Sequence, residues 1–222
     1  MAEIIAFAGP SLPAIPDSTW NLLLNQVQLQ PPAQEGDILA VIDERPHTLV
    51  LIDGYYFDGR DHIVAAVKPQ ELITAVNAGI RLIGAASIGA IYAAELSQYG
   101  VVGVGQVFEW FRNGILRGTD ELIILHLPEE FGYQHITVAL VEVRYALQQL
   151  VNEQFVSAAA SQAFIATVKE LPFPERSLDV ILQLARSYLN ESTIKALQLR
   201  LTSNSVKQAD TKLGLQFALF ES

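Results

Sequence analysis

The chain of 222 residues contains no cysteine, and its 14 Lys and Arg are outnumbered by 24 Asp and Glu. Without cysteine there is no disulfide scaffold, no Cys-ligated zinc or iron–sulfur centre, no thiolate nucleophile and no persulfide relay. Any nucleophile is therefore an oxygen or a nitrogen. A formal net charge of −10 repels phosphate backbones and anionic lipid surfaces, which argues against a nucleic-acid or membrane partner. Long apolar runs are missing too. The uncharged stretches 4–16 and 82–94 fall short of the roughly 20 residues of a membrane-spanning helix, and each contains Gly or Pro. The N-terminus lacks the basic region of a signal peptide and places Glu3 ahead of a short apolar run. The expectation is a cytoplasmic globular protein. No Walker loop, HExxH pair or EF-hand pattern occurs, and Gly103-x-Gly105 lacks the third glycine of a dinucleotide loop, so neither metal nor cofactor is expected.

What is present is a chain half hydrophobic and 17% charged, long enough to bury a full core. Its first part alternates short apolar runs with amphipathic segments. Residues 4–8, 48–52 and 81–85 read as strands, each closed by a turn, and 121–127 is a fourth candidate. Helices are predicted after Asp17 or Ser18, near 36–43, from Pro69 to Gly79 and over 88–98. This alternation predicts an α/β core with a mostly parallel sheet of short strands. From residue 137 onward the pattern turns helical, with segments at 137–154, 177–189 and 191–201 and a weakly patterned tail read as a short helix with a frayed end. The simplest division is an α/β core over 1–136 and an α-helical C-terminal portion over 137–222 packed on it.

The most informative stretch is Gly84-Ala85-Ala86-Ser87-Ile88-Gly89-Ala90, where a strand gives way to a helix. Small residues two positions either side of Ser87 match a nucleophile elbow with Ala in place of the first Gly. The Ile88 amide at the helix N-terminus favours developing negative charge beside Ser87. Ser87 is thus either a nucleophile or anion-binding hydroxyl, or simply the helix N-cap. A serine nucleophile needs a base. None of His47, His62, His126 and His135 stands in an identifying spacing, and Lys68 is the one lysine that the pattern assigns to the core. In a parallel sheet the carboxyl ends of strands share a crevice, which brings Ser11 after Gly9-Pro10, Asp53 before Gly54, and Ser87 to one place. The same residues also make good turns whatever they line.

Further residues carry a resemblance. Gly9-Pro10-Ser11-Leu12, Pro31-Pro32 with Gly36-Asp37, Leu51-Ile52-Asp53-Gly54, the Ser87 string and Ala93-Ala94-Glu95-Leu96 occur in order. Gly100, Gly103-Val104-Gly105, Phe108-Glu109, Arg112, Asp120-Glu121, His126, Gly132-Tyr133 and Val141-Glu142-Val143-Arg144 follow them. Over residues 4–147 the chain resembles the TfuA-like proteins. That resemblance implies an accessory of YcaO enzymes, which activate a backbone amide with ATP so that sulfur replaces its oxygen. It implies hydrolysis of the thiocarboxylated C-terminus of a ubiquitin-like, ThiS-like sulfur carrier, with a Ser–Lys pair. Carried over, the serine is Ser87. Family members read His-Lys-Glu-Ile-Leu where this chain has Pro69-Gln70-Glu71-Leu72-Ile73, so Lys68 is the nearest lysine, and Tyr92 replaces an Arg.

The resulting expectation is a hydrolase in which Ser87 attacks and Lys68 acts as base. The Ile88 amide, with the Pro10–Ser11 loop, Asp53 and Gly89, forms the oxyanion and substrate site. Its partners are a YcaO-type enzyme, the sulfur carrier and, through YcaO, the peptide; monomer and homo-oligomer both fit. The alternatives are a non-catalytic YcaO partner that aids peptide binding, with Ser87 only capping its helix, and a generic serine esterase, for which no histidine and acid stand in the expected order.

Overall fold

The computed structural model describes residues 3–55 and 66–221. The chain forms two compact units, Met1–Arg117 together with Lys207–Ser222, and Gly118–Val206.

In the first unit, strands β1 (Ile4–Phe7), β2 (Gln28–Gln30), β3 (Thr48–Leu51), β4 (Arg81–Ala85) and β5 (Val102–Val104) form an all-parallel sheet in the order β2-β1-β3-β4-β5. β1 and β3 are apolar at almost every position because both faces are covered, as parallel sheets require. One face carries Ile4, Ala6, Val50, Ile52, Ile83 and Ala85, packed with Trp20 and Leu23 of α1 (Ser18–Leu24) and Leu215 and Ala218 of α10 (Val206–Phe220). The helices α2 (Asp37–Ile42), α3 (Pro69–Asn77) and α4 (Ile88–Leu96) connect successive strands, with α3 and α4 packed on β4, and α5 (Gln106–Arg112) follows β5.

Local chemistry sets the helix starts. The Asp17 carboxylate accepts from the Thr19 and Trp20 amides and caps α1. Pro69 opens α3, and buried Glu71 accepts from the Lys68 amide at 3.1 Å and the Gly36 amide at 2.9 Å, joining the starts of α3 and α2. Buried Asp210 of α10 accepts from the Gln106 and Val107 amides at 2.9 and 2.7 Å, capping α5 from the far end of the sequence.

The second unit is helical: α6 (Leu140–Asn152), α7 (Ala158–Glu170), α8 (Leu178–Ala185) and α9 (Glu191–Ser203). Leu140, Val143, Leu147, Phe164, Ile181 and Leu197 form its core. Ser157, Ser177 and Asn190 cap α7, α8 and α9. No helix among the described residues is long and apolar enough to cross a membrane.

The α/β fold class, with its parallel sheet and helical C-terminal part, is as expected. Several elements differ, β2 and α5 among them, which stand where no strand or helix is expected. Residues 121–127 form no strand: a 3₁₀ turn at Thr119–Glu121 and an isolated bridge from His126 to His135 stand there, with the Glu121 side chain bound to Arg144 and Lys169. β5 was not anticipated, because Gly103 at its centre looks like a loop residue. The Phe108 ring fills the space beside it, 2.1 Å from where a Cβ would stand. The tail is not frayed. It is a 15-residue helix, and residues 207–222 cluster with the sheet unit.

Candidate active site

The register aligns Phe7 with Leu51 and Leu51 with Gly84, so β1, β3 and β4 end level. The strand order reverses direction beside β1, and in open parallel sheets ligands bind outside the carboxyl ends at such a point. The segments that leave these ends are Gly9-Pro10-Ser11, Asp53-Gly54 and Ala86-Ser87.

Asp53 and Ser11 are held directly together, and both are buried. Asp53 Oδ2 accepts from the Gly9 amide at 2.9 Å and the Ser11 amide at 2.8 Å, and Oδ1 accepts from the Ser11 hydroxyl at 2.7 Å. This clamp closes the β1 loop onto β3. Asp53→Asn replaces one acceptor oxygen by a donor facing donors, and should lower unfolding free energy by about 2–3 kcal/mol. Ser11→Ala removes one bond and should cost about 1 kcal/mol. Urea denaturation of both variants and their double measures the coupling between them.

Ser87 sits at the end of β4. The residue in the strained conformation is its neighbour Ala86, with φ +63°, and the Ser87 amide donates back to the Ala85 carbonyl at 2.7 Å. Such a tight γ-type turn with positive φ is rare and strained, and such strain concentrates at functional sites. Ser87 itself has φ −116° and ψ −126°. Its hydroxyl makes no capping bond to α4 and none to another described residue, so the simple N-cap role is not what its side chain does here. α4 lies unusually close to the sheet: a Cβ at Gly89 would stand 1.8 Å from the Leu51 carbonyl oxygen, and one at Gly84 2.1 Å from the Gly89 carbonyl oxygen. Ile88 Cγ2 lies 3.0 Å from where a Gly54 Cβ would stand. Ile88 and Gly89 are thereby set beside the end of β3, and Ser87 directly precedes them.

Of the expected amide donors, Ile88 alone keeps its N–H uncommitted among the described residues. Ser11 directs its amide to Asp53, Gly89 gives its own to the Ile52 carbonyl at 3.2 Å, and Pro10 has none. The Ser11 and Gly89 amides are thus committed within the fold. A groove of about 440 Å³ opens at the neighbouring strand ends, lined by Phe7, Gln30, Pro31, Pro32, Asp37 and Tyr55 among others.

Lys68 has a setting different from the one expected of a base. Its side chain is 60% exposed and its ammonium is paired with Glu35, whose hydrogen bond and charge raise its pKa above the ordinary lysine value. A base needs the opposite, a desolvated amine of lowered pKa. Beside it, the Tyr92 hydroxyl donates to the Val67 carbonyl, and burial, with Glu95 and Glu71 nearby, pushes the phenol pKa up and keeps it a donor. Tyr92 thus fastens α4 to the segment ahead of α3. His47 lies at the amino end of β3, bonded to the Thr48 hydroxyl at 2.9 Å and bordering a groove at the opposite edge of the sheet. His126 and His135 belong to the second unit, and His62 lies outside the described residues. No group of three or more metal-ligating side chains occurs among the described residues.

Ala86 as the strained position, and α10 with its buried Lys207, Asp210 and Thr211, escaped the sequence reading. The run of two alanines before Ser87 was the one available signal for the first; the second had none, because polar and small residues mask the buried stripe of α10. A comparison with curated proteins returns no match. The model of the family described as TfuA-like protein matches residues 53–177, which include Asp53, Ser87 and Ile88. The chain therefore belongs to the TfuA-like family, the accessory proteins that accompany YcaO-type enzymes in peptide backbone thioamidation.

Proposed function

We propose that this TfuA-like protein releases sulfide from a thiocarboxylated, ThiS-like carrier and delivers it to its YcaO-type partner. The observation that carries the reading is the setting of Ser87: a buried hydroxyl at the carboxyl edge of a parallel sheet, next to a strained turn, with its oxygen unused in capping and the Ile88 amide uncommitted beside it. Ser87 Oγ attacks the thiocarbonyl carbon, the Ile88 amide stabilises the charge that develops, sulfide leaves, and water cleaves the acyl ester. The groove beside the β1 and β2 ends would receive the extended C-terminal tail of the carrier. Free sulfide diffuses away, which accounts for an association with the enzyme that uses it.

The test is sulfide release from a purified thiocarboxylated carrier. Ser87→Ala should slow it by at least about 100-fold, the scale on which nucleophiles and their proton-transfer partners act; release at the wild-type rate overturns the assignment. A second reading, a non-catalytic partner that improves peptide binding by YcaO, is favoured by one observation, the engagement of Lys68 by Glu35. Wild-type protein that tightens peptide binding by YcaO but releases no sulfide would establish that reading instead.

A further inference from the structure

We propose that a groove at the amino edge of the sheet, opposite Ser87, binds a free amino acid with an apolar side chain. The groove has a volume of about 420 Å³, in the ordinary range of small-molecule sites, and is lined by Glu3, Gln26, His47, Arg81, Leu219 and Phe220 among others. The backbone fixes three of these residues in a row. The Glu3 carbonyl accepts from the His47 and Thr48 amides at 2.9 and 3.1 Å, and the His47 carbonyl accepts from the Arg81 amide at 3.1 Å, so the entries of β1, β3 and β4 stand side by side.

Arg81 is the anchor. It lies on the face of β4 that also carries Ile83 and Ala85 toward α10, and its guanidinium carbon stands 4.9 Å from the centre of the Phe217 ring. Among the described residues its guanidinium makes no hydrogen bond and no ion pair. The other described arginines that are buried or half-buried, Arg144, Arg176 and Arg200, each hold a carboxylate, of Glu121, Asp120 and Glu153 in turn. Arg81 leaves its donors open although the Glu3 carboxylate lines the same groove. A stacked, half-buried guanidinium with unspent donors is a preorganised fork for a carboxylate. A chain of net charge −10 repels anions at long range, so holding one requires a local cation of this kind.

The remaining groups select among anions. His47 engages the Thr48 hydroxyl through Nδ1 and leaves Nε2 open. Glu3 repels a second negative charge, which disfavours phosphate, and it offers an acceptor to an ammonium group. Gln26 donates to the Leu22 carbonyl at 2.7 Å, which leaves its Oε1 as a second acceptor. Leu219 and Phe220 form an apolar wall, with Phe220 exposed. A ligand that meets all of these carries a carboxylate, an ammonium and an apolar side chain, the composition of an amino acid such as phenylalanine or leucine.

Isothermal titration calorimetry of the full chain with phenylalanine should give saturable binding with a dissociation constant of about 1 mM or below. Hydrocinnamate lacks the ammonium and phenethylamine the carboxylate; each should bind at least about tenfold more weakly, because a charge-assisted hydrogen bond is lost. Arg81→Lys keeps the charge without the fork, and should lose at least about tenfold for phenylalanine while its circular dichroism stays that of wild type. Glu3→Gln, at an exposed side chain, should weaken phenylalanine but leave hydrocinnamate within about twofold of wild type. Wild-type affinity in Arg81→Lys, no saturable heat with phenylalanine or leucine, or inorganic phosphate binding as tightly as phenylalanine overturns the proposal. So does tighter binding of N-acetylphenylalanine than of phenylalanine, which would show that the groove takes the carboxyl end of a peptide instead. None of these measurements involves sulfide release, so their outcome is separate from that of the Ser87 assignment.

Discussion

Gly89→Ala should lower the unfolding free energy of the sheet unit by about 4 kcal/mol or more, in the rare class of single substitutions that large. Intrinsic propensity points the other way: alanine in a helix interior is worth about 1 kcal/mol over glycine. Packing decides the sign, because the new Cβ would stand 1.8 Å from the Leu51 carbonyl oxygen and 2.6 Å from its carbon. Those atoms belong to the backbone of the central strand β3 and cannot rotate away as a side chain can. The helix must lift from the sheet, taking Ser87 and Ile88 with it. A loss of this size should lower the melting temperature by about 8–16 °C for a chain of this length. The control is Gly214→Ala, whose Cβ would meet side chains alone, the Ala85 Cβ at 3.0 Å and Val50 Cγ1 at 3.9 Å; there the gain in propensity should offset most of the cost, leaving stability within about 1 kcal/mol of wild type. Thermal melts of the two variants measure the difference directly, and equal effects would show that the close approach of α4 is not what limits the fold.

The second large effect lies in the helical unit. Glu121 is wholly buried, with one oxygen accepting from Arg144 Nε at 2.8 Å and the other from Arg144 Nη2 and Lys169 Nζ, both at 2.9 Å. Burial pushes its pKa up, but the hydrogen bonds and charges of Arg144 and Lys169 outweigh that and hold it below the ordinary glutamate value. Removing one member of a buried ion pair typically costs about 3–5 kcal/mol. The side chains of Arg144 and Lys169 are 20% and 41% exposed and can recover hydration, so Glu121→Gln should cost about 2–4 kcal/mol. The pH dependence has a definite sign. The folded-state pKa is depressed, so this contribution is fully present above the unfolded value of about 4.5 and is lost as pH falls through the lower folded value. Denaturant midpoints at pH 7 and pH 3.5 should therefore differ less in Glu121→Gln than in wild type; an unchanged pH response would mean that Glu121 does not carry this linkage.

Ser87, Ile88, Asp53 and Ser11 were legible because each stands at a fixed offset from an apolar run, and a parallel sheet brings such offsets to one edge. The roles of the individual groups were less legible. The clamp of Ser11 by Asp53 joins residues 42 apart, and the commitment of the Ser11 and Gly89 amides depends on which carbonyl or carboxylate the fold brings within 3.2 Å. Lys68 looked like a core lysine because it precedes a helix start. Its exposure and its pairing with Glu35, 33 residues away, are tertiary facts.

The sequence by itself determined the exclusion of thiol chemistry, the alternation that makes an α/β sheet, and the strand-to-helix serine, because composition and short-range periodicity act within a few residues. Only the tertiary structure decided the strand order, the strain at Ala86, the uncommitted Ile88 amide, and the return of α10 to the carboxyl edge of the sheet. The contact between Gly214 and Ala85 spans 129 positions (214 − 85 = 129), and no local pattern encodes a contact that long. It arises because the apolar face of the sheet must be covered, and α10 covers it with Leu215 and Ala218.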